Sequence, residues 1–203
     1  NSLLTIAIPK GRLEEKTVKL FGEAGIAFKF EERKLVAYSE DKSMKFLLVK
    51  NSDLPTYVSH GIAGLGISGD DVIIESGETF YRLFTFDFGQ TDICIASKKG
   101  EIHPFEKNRL SIATKFPVFT GNYFNSKGIP VQIIKLNGSV ELAPLLGLAP
   151  YIVDLVETGT TLKAHNLIVQ EKLAVTQVHL IANPGYYKIH YKRIENLINV
   201  IKR

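Results

Sequence analysis

Cysteine is almost missing: the chain of 203 residues has one, Cys94. A single thiol excludes an internal disulfide framework and any zinc site built on several cysteines. Cys94 lies in an apolar run with no basic neighbour, so it reads as core rather than as an activated nucleophile. Scarce cysteine fits a reducing compartment. The five histidines, at 60, 103, 165, 179 and 190, fall in no ligand spacing, so no metal site is expected from them. No apolar run reaches the roughly 18 residues of a membrane-spanning helix, and no Lys/Arg-rich head precedes a long apolar segment. Neither a membrane span nor a secretory signal is therefore expected, and the cytoplasm is the default address. Charge of one sign is not in excess either. Lys and Arg number 25 against 21 for Asp and Glu, a net charge of +4, which suits an anionic small molecule as well as a nucleic acid. The basic face of the last helix (Lys188, Lys192, Arg193, Lys202, Arg203) has no aromatic stacking motif beside it. It reads as solvated, and no nucleic-acid partner is expected.

What is present is ordinary globular material. Hydrophobic residues make up 45% and charged residues 23%, which argues against disorder. The length allows one large domain or two small ones. Strand-like and helix-like runs alternate. Leu3–Ile8 reads as a buried strand, Arg12–Ala24 as an amphipathic helix, and Lys34–Tyr38 with Met44–Lys50 as a hairpin. Ser52 could cap a short helix reaching His60; Leu65–Ile67 is a strand and Asp71–Glu75 a helix. Thr79–Phe88 and Thr91–Ser97 look extended. A second series follows. Leu110–Thr114, Val131–Leu136 and Tyr151–Val156 read as strands, and Val118–Ser126, Val140–Leu148 and Thr160–His165 as helices. Leu173–Asn183 is one extended segment, and Tyr187–Lys202 a closing helix with Ile189, Ile194, Leu197, Ile198 and Ile201 inward. Repeated β-α units favour parallel sheets flanked by helices. The polar break Lys98–Pro104 is the residue-level candidate for a domain boundary. Two such domains would enclose a ligand cleft.

The strongest motif is Tyr151-Ile-Val-Asp-Leu-Val-Glu-Thr-Gly-Thr-Thr-Leu162. An apolar strand ends in acidic residues, then a Thr- and Gly-rich turn opens a helix. Such a turn offers free backbone N–H groups and hydroxyls to a phosphate, and Gly159 lets the backbone approach it. Asp154, with Glu157 near it, can accept hydrogen bonds from ribose hydroxyls. The simpler reading is a capped helix after a core strand. The segment resembles the loop with which phosphoribosyltransferases hold 5-phosphoribosyl pyrophosphate (PRPP). A second motif, Pro9-Lys10-Gly11-Arg12, puts two cations at a helix start, where the dipole prefers anions. A bound polyphosphate would resolve that conflict; solvated surface cations are the alternative. Gly64-Leu-Gly-Ile-Ser-Gly69 matches a dinucleotide-binding pattern, but Leu65 and Ile67 are themselves the strand, so that reading is rejected. Asp70 and Asp71, just after it, are carboxylates at a strand end. Ser139 could cap the helix that carries Glu141 in its first turn.

These pieces occur in one order: Pro9–Leu13, Ser52–Val58, His60–Ala63, Gly66–Asp71, Ile112–Lys115, Gly138–Pro144 and Val153–Leu162. Together they resemble the ATP phosphoribosyltransferase family over nearly the whole chain. The resemblance implies two α/β domains of the type II periplasmic-binding-protein fold, joined by two strands crossing near Phe88–Ile95 and Leu173–Leu180. Residues 1–90 with 178–203 would form a discontinuous ATP-side domain, and 91–177 the PRPP-binding domain. The implied reaction is attack by N1 of ATP on the anomeric carbon of PRPP, with Mg²⁺ carried by the substrates. Lys10, Arg12 and Lys50 with Asp154 would be the catalytic set. Glu141, Asp154, Glu157, Thr158, Gly159, Thr160 and Thr161 would bind PRPP, and Lys10, Arg12, Arg33, Asp70 and Asp71 the ATP side. Lys50-Asn51 stands where the family commonly has Arg-Pro, which keeps a charge and loses a bidentate fork. Gly64 stands where the family often has Asp. The size resembles the family's short form, which implies a homo-oligomer and a regulatory partner similar to histidyl-tRNA synthetase. The competing readings are a non-catalytic binding protein of the same fold and a phosphoribosyltransferase for another base.

Overall fold

The computed structural model describes residues 3–202. Asn1, Ser2 and Arg203, the last a member of the expected basic face, lie outside the described residues. The strands are β1 (Leu4–Pro9), β2 (Val36–Tyr38), β3 (Met44–Val49), β4 (Leu65–Gly69), β5 (Tyr81–Thr85), β6 (Thr91–Lys98), β7 (Leu110–Thr114), β8 (Val131–Lys135), β9 (Tyr151–Val156), β10 (Leu167–Thr176) and β11 (Val178–Ala182). The helices are α1 (Arg12–Glu23), α2 (Leu54–Ser59), α3 (Asp70–Ser76), α4 (Pro117–Ser126), α5 (Leu142–Leu146), α6 (Thr160–Ala164) and α7 (Pro184–Ile201).

The chain divides into two compact units. One runs to residue 89 and resumes at 177; the other is Gln90–Thr176. The boundary is therefore not the polar Lys98–Pro104 break, which lies inside the second unit. That break is only a turn leading to a 3₁₀ segment at Pro104–Glu106.

The first unit is built on a six-stranded sheet of order β2-β3-β1-β4-β11-β5. β1 runs parallel to β3 and β4, while β2, β11 and β5 run antiparallel to their neighbours. The expectation of parallel sheets thus holds for the sheet centre, and the outer strands are antiparallel. β1 is apolar but for Thr5 because both its faces are covered. Ile6 and Ile8 join Phe21, Phe46, Leu65, Ile67, Leu180 and the α7 residues Ile194 and Ile198. Ala7, on the opposite face by the two-residue period, joins Leu54, Val58, Ile73 and Ile181. Phe28 stacks on Phe46 with ring centroids 3.6 Å apart. Gly66 lets α2 close on β4, since a Cβ there would press on Leu54 and Val58 at 2.8 Å. Gly64 has a similar reason: a side chain there would run into the Tyr186 ring. The small residue is matched to a large one on α7.

The second unit has a five-stranded sheet of order β10-β6-β9-β7-β8, with β7 parallel to β8 and β9. Tyr151, Ile93, Ile95, Ile112 and Phe124 fill one side, and Ile152, Ala113, Val140 and Leu162 the other. Cys94 is buried here, as its sequence context implies.

Three expectations need correcting. Residues 173–183 are not one extended segment: β10 begins at Leu167, and Gln177 separates it from β11, which belongs to the other sheet. Ile189 is not inward but 79% exposed: five residues before Ile194, it lies about 140° round the helix from it, while Tyr187 and His190 continue the inward stripe. Ser52 does not cap α2; Asn51–Asp53 form a 3₁₀ turn and the Ser52 hydroxyl faces Asp53 Oδ1 at 3.4 Å. Among the described residues no helix is long and apolar enough to cross a membrane.

Candidate active site

In the first unit the chemistry collects where parallel strands end, the edge at which open α/β sheets bind ligands. Lys10 follows β1, and its backbone N–H donates to Val49 O at 2.8 Å, which sets it beside Lys50 at the end of β3. Gly11 takes φ +107° as the N-cap of α1, a conformation that favours glycine. Arg12 then opens the helix, and no side chain caps it. Arg33 lies in the turn before β2, at φ +62°. β2 is antiparallel to β3 and Leu48 N–H donates to Leu35 O, so Arg33 comes to the same sheet edge. Its guanidinium is largely solvated, 3.9 Å from Glu32.

Asp70 and Asp71 follow β4 and differ in role. Asp70 Oδ2 accepts from Gln177 N–H at 2.9 Å, while Asp70 N–H donates to Gln177 O. Its Oδ1 meets His179 Nε2 at 2.8 Å and Arg82 Nε at 3.5 Å. His179 Nδ1 in turn meets Thr85 Oγ1 at 3.0 Å. This chain, centred on the buried His179 ring, ties α3 to β11 and β5, and sequence spacing gives no sign of it. Asp71 is mostly buried, which pushes its carboxyl above the usual range; its own and Val72's amides and Arg12 pull it back down. Gly69 makes room for that carboxylate, since a Cβ would collide with it.

In the second unit Glu141 and residues 154–162 line a pocket of about 230 Å³. Every residue assigned to PRPP from the sequence lies on this wall. Asp154 is the fourth residue of β9, opposite Cys94 of β6. One carboxylate oxygen, Oδ1, is buried and accepts no hydrogen bond. Burial pushes its carboxyl above the usual range; Lys115 lowers it and Glu141 raises it further. Gly159 caps α6 at φ +74°, and a Cβ there would meet only Val156 at 4.0 Å. The Thr158 and Thr160 hydroxyls share a hydrogen bond of 2.8 Å. Thr158, Thr160 and Thr161 are exposed. Ser139 is not the helix cap: it sits at φ +47°, and α5 starts only at Leu142 with Glu141 in the N-cap position. Glu141 is thereby left on the pocket wall. Lys115, quoted from the sequence only as part of a motif, also reaches Asp154: its Nζ lies 3.5 Å from Asp154 Oδ1. A cation facing a carboxylate across two strand ends leaves no local sequence signal.

Residues 50–203 match the family model HisG: ATP phosphoribosyltransferase. An ATP phosphoribosyltransferase of a Thermoanaerobacter species is 44% identical over 202 residues, covering 98% of this chain and 94% of that protein. One from Clostridioides difficile is 40% identical, covering 98% and 97%. Among solved structures, an ATP phosphoribosyl transferase (HisG:HisZ) complex from Thermotoga maritima matches with TM-score 0.85 and 36% identity, over 98% of this chain and 97% of that one. The periplasmic aliphatic sulphonate binding protein SsuA from Escherichia coli matches at TM-score 0.64 and 13% identity, over 99% and 72%, a likeness of fold alone.

Proposed function

The chain belongs to the ATP phosphoribosyltransferase family, and from that premise we propose how its residues divide the work. The reaction is the first step of histidine biosynthesis: the 5-phosphoribosyl group of PRPP moves to N1 of ATP and pyrophosphate leaves. This is displacement at a sugar carbon with a cation-like transition state, so it calls for positioning and charge stabilisation and no covalent protein nucleophile.

The observation that carries the assignment is the pocket wall on which Asp154, Glu141 and the Thr158–Thr161 turn meet. The turn takes the 5-phosphate on its hydroxyls and backbone N–H groups. Asp154, with a buried oxygen that accepts no hydrogen bond, and Glu141 take the ribose hydroxyls, with Glu157 helping. Charge-assisted hydrogen bonds of this kind contribute roughly 1.5–3 kcal/mol each. Lys10, Arg12, Lys50 and Arg33 are assigned to the polyphosphates, supported by their gathering at one sheet edge. Asp71 faces the ATP side. Asp70, whose oxygens are engaged with Gln177, His179 and Arg82, contributes there by fixing the start of α3.

We assign Mg²⁺ to the pyrophosphate of PRPP, as an ion that travels with the substrate. Its oxygen ligands would come from the substrate's own phosphates, and no side chain is assigned to it. When bound it would neutralise charge on the leaving group. We also propose a cytoplasmic enzyme, a homo-oligomer that joins a HisZ-type regulatory subunit, as the Thermotoga maritima relative does in its HisG:HisZ complex. Mixing the chain with ATP, PRPP and Mg²⁺, with and without such a subunit, should yield phosphoribosyl-ATP by mass spectrometry. No product in either mixture would favour a binding protein, and product with another base but not ATP a different transferase.

A further inference from the structure

The buried oxygen of Asp154 has a cation beside it, Lys115, and the backbone is built to keep it there. Lys115 is the first residue past β7, and Asp154 lies on the adjacent parallel strand β9. The buried Thr114 hydroxyl donates to Val153 O at 2.7 Å and accepts from Phe116 N–H at 2.9 Å. One side chain thus staples the residues on both sides of Lys115 to the residue before Asp154. The ammonium ends 3.5 Å from Asp154 Oδ1 and 5.8 Å from the Phe116 ring centroid. The Asp154 side chain is 21% exposed and that of Lys115 38%, so the pair is shielded on the carboxylate side and open on the ammonium side.

We propose that Lys115 is a positioning residue for the transfer, holding the Asp154 carboxylate charged and in place for the ribose hydroxyls. The proposal rests on the assignment of Asp154 to the ribose. The need for a cation follows from the groups facing Asp154. β6 brings Cys94, the segment before α5 brings Glu141, and the end of β9 itself brings Glu157. α6 carries one cation, the exposed Lys163. Two or three carboxylates around a pocket that must admit a sugar phosphate repel both one another and the ligand. Burial favours a protonated Asp154, one oxygen of which would turn from acceptor to donor toward the ribose hydroxyls, and Lys115 opposes that. An opposite charge at this range lowers a carboxyl pKa by about 1 unit or more.

The test compares Lys115→Met and Lys115→Arg in the full chain by two readouts. The carboxyl ¹³C signal of Asp154, identified by its loss in Asp154→Asn, gives the titration midpoint. PRPP affinity is followed by calorimetry from about pH 5 to 8. We expect Lys115→Met to raise the midpoint by about one unit and to weaken PRPP about tenfold at pH values below both midpoints. Lys115→Arg should restore both. An unmoved midpoint overturns the role of Lys115 whatever the affinity does. A raised midpoint with unchanged PRPP affinity across the range overturns instead the ribose assignment beneath it.

Discussion

Asp154 carries two demands that conflict, and the conflict can be measured. As a ribose acceptor it must be ionised, yet burial raises its carboxyl pKa above the usual value. Asp154→Asn should therefore cut kcat/KM for PRPP by about tenfold or more, near 1.4 kcal/mol. Kinetics like those of the parent would sink the ribose assignment. The stability effect has the opposite sign. A carboxyl whose folded pKa is raised lowers stability as pH climbs past its unfolded value near 3.8, because the folded chain then gives up a proton it would rather keep. Asp154→Asn should thus melt higher than the parent at pH 7, with the gap closing toward pH 4; a lower melting point at pH 7 would contradict this. Gly159 makes a different demand. Nothing crowds a Cβ there, so the objection to a side chain is its φ of +74°. Gly159→Val should abolish PRPP binding by calorimetry with the far-ultraviolet dichroism unchanged. Gly159→Asn should keep part of it, because Asn tolerates the left-handed region. Equal affinities for Val and Asn would show that backbone conformation is not what matters.

At the level of elements, β11 is held by more than its ladder. Asp70 accepts from Gln177 N–H and meets His179 Nε2, and the Thr85 hydroxyl meets the other nitrogen of the His179 ring. Asp70→Ala leaves a buried imidazole and a backbone N–H without their partner. The expected loss is about 1–3 kcal/mol in urea unfolding, with the m-value unchanged. A loss within a few tenths would mean that water replaces the carboxylate. This clamp also marks where sequence reading stops. β1, β7 and β9 were legible because strands covered on both faces are mostly apolar, and the acidic-Thr-Gly turn after β9 because its residue types are rare together. The break at Gln177 was not, since the extended pattern runs on while the chain changes sheets. Ile189 misled because it is apolar yet sits five residues from Ile194, a spacing that puts it on the far side of the helix. Asp70 with His179, and Lys115 with Asp154, meet only through topology, so no local spacing records them.

At the level of the whole molecule, the unit Gln90–Thr176 is one continuous stretch with its own sheet and hydrophobic clusters. A fragment of residues 90–176 should fold alone, with a cooperative thermal transition, and bind ribose 5-phosphate in an Asp154-dependent manner. A broad, featureless melt would count against its autonomy. The other unit has no such independence, because β4 pairs on one side with β1 and on the other with β11. On the ribosome this ordering becomes a delay. Gln177, which locks onto Asp70, emerges 107 residues after it. At about 5–20 residues per second, that is roughly 5–20 s. For that interval Leu65 and Ile67 border an open strand edge, while the inserted unit, begun later, is finished first. The nascent chain therefore passes through a stage in which the half synthesised first is the half still exposed to aggregation and to chaperones.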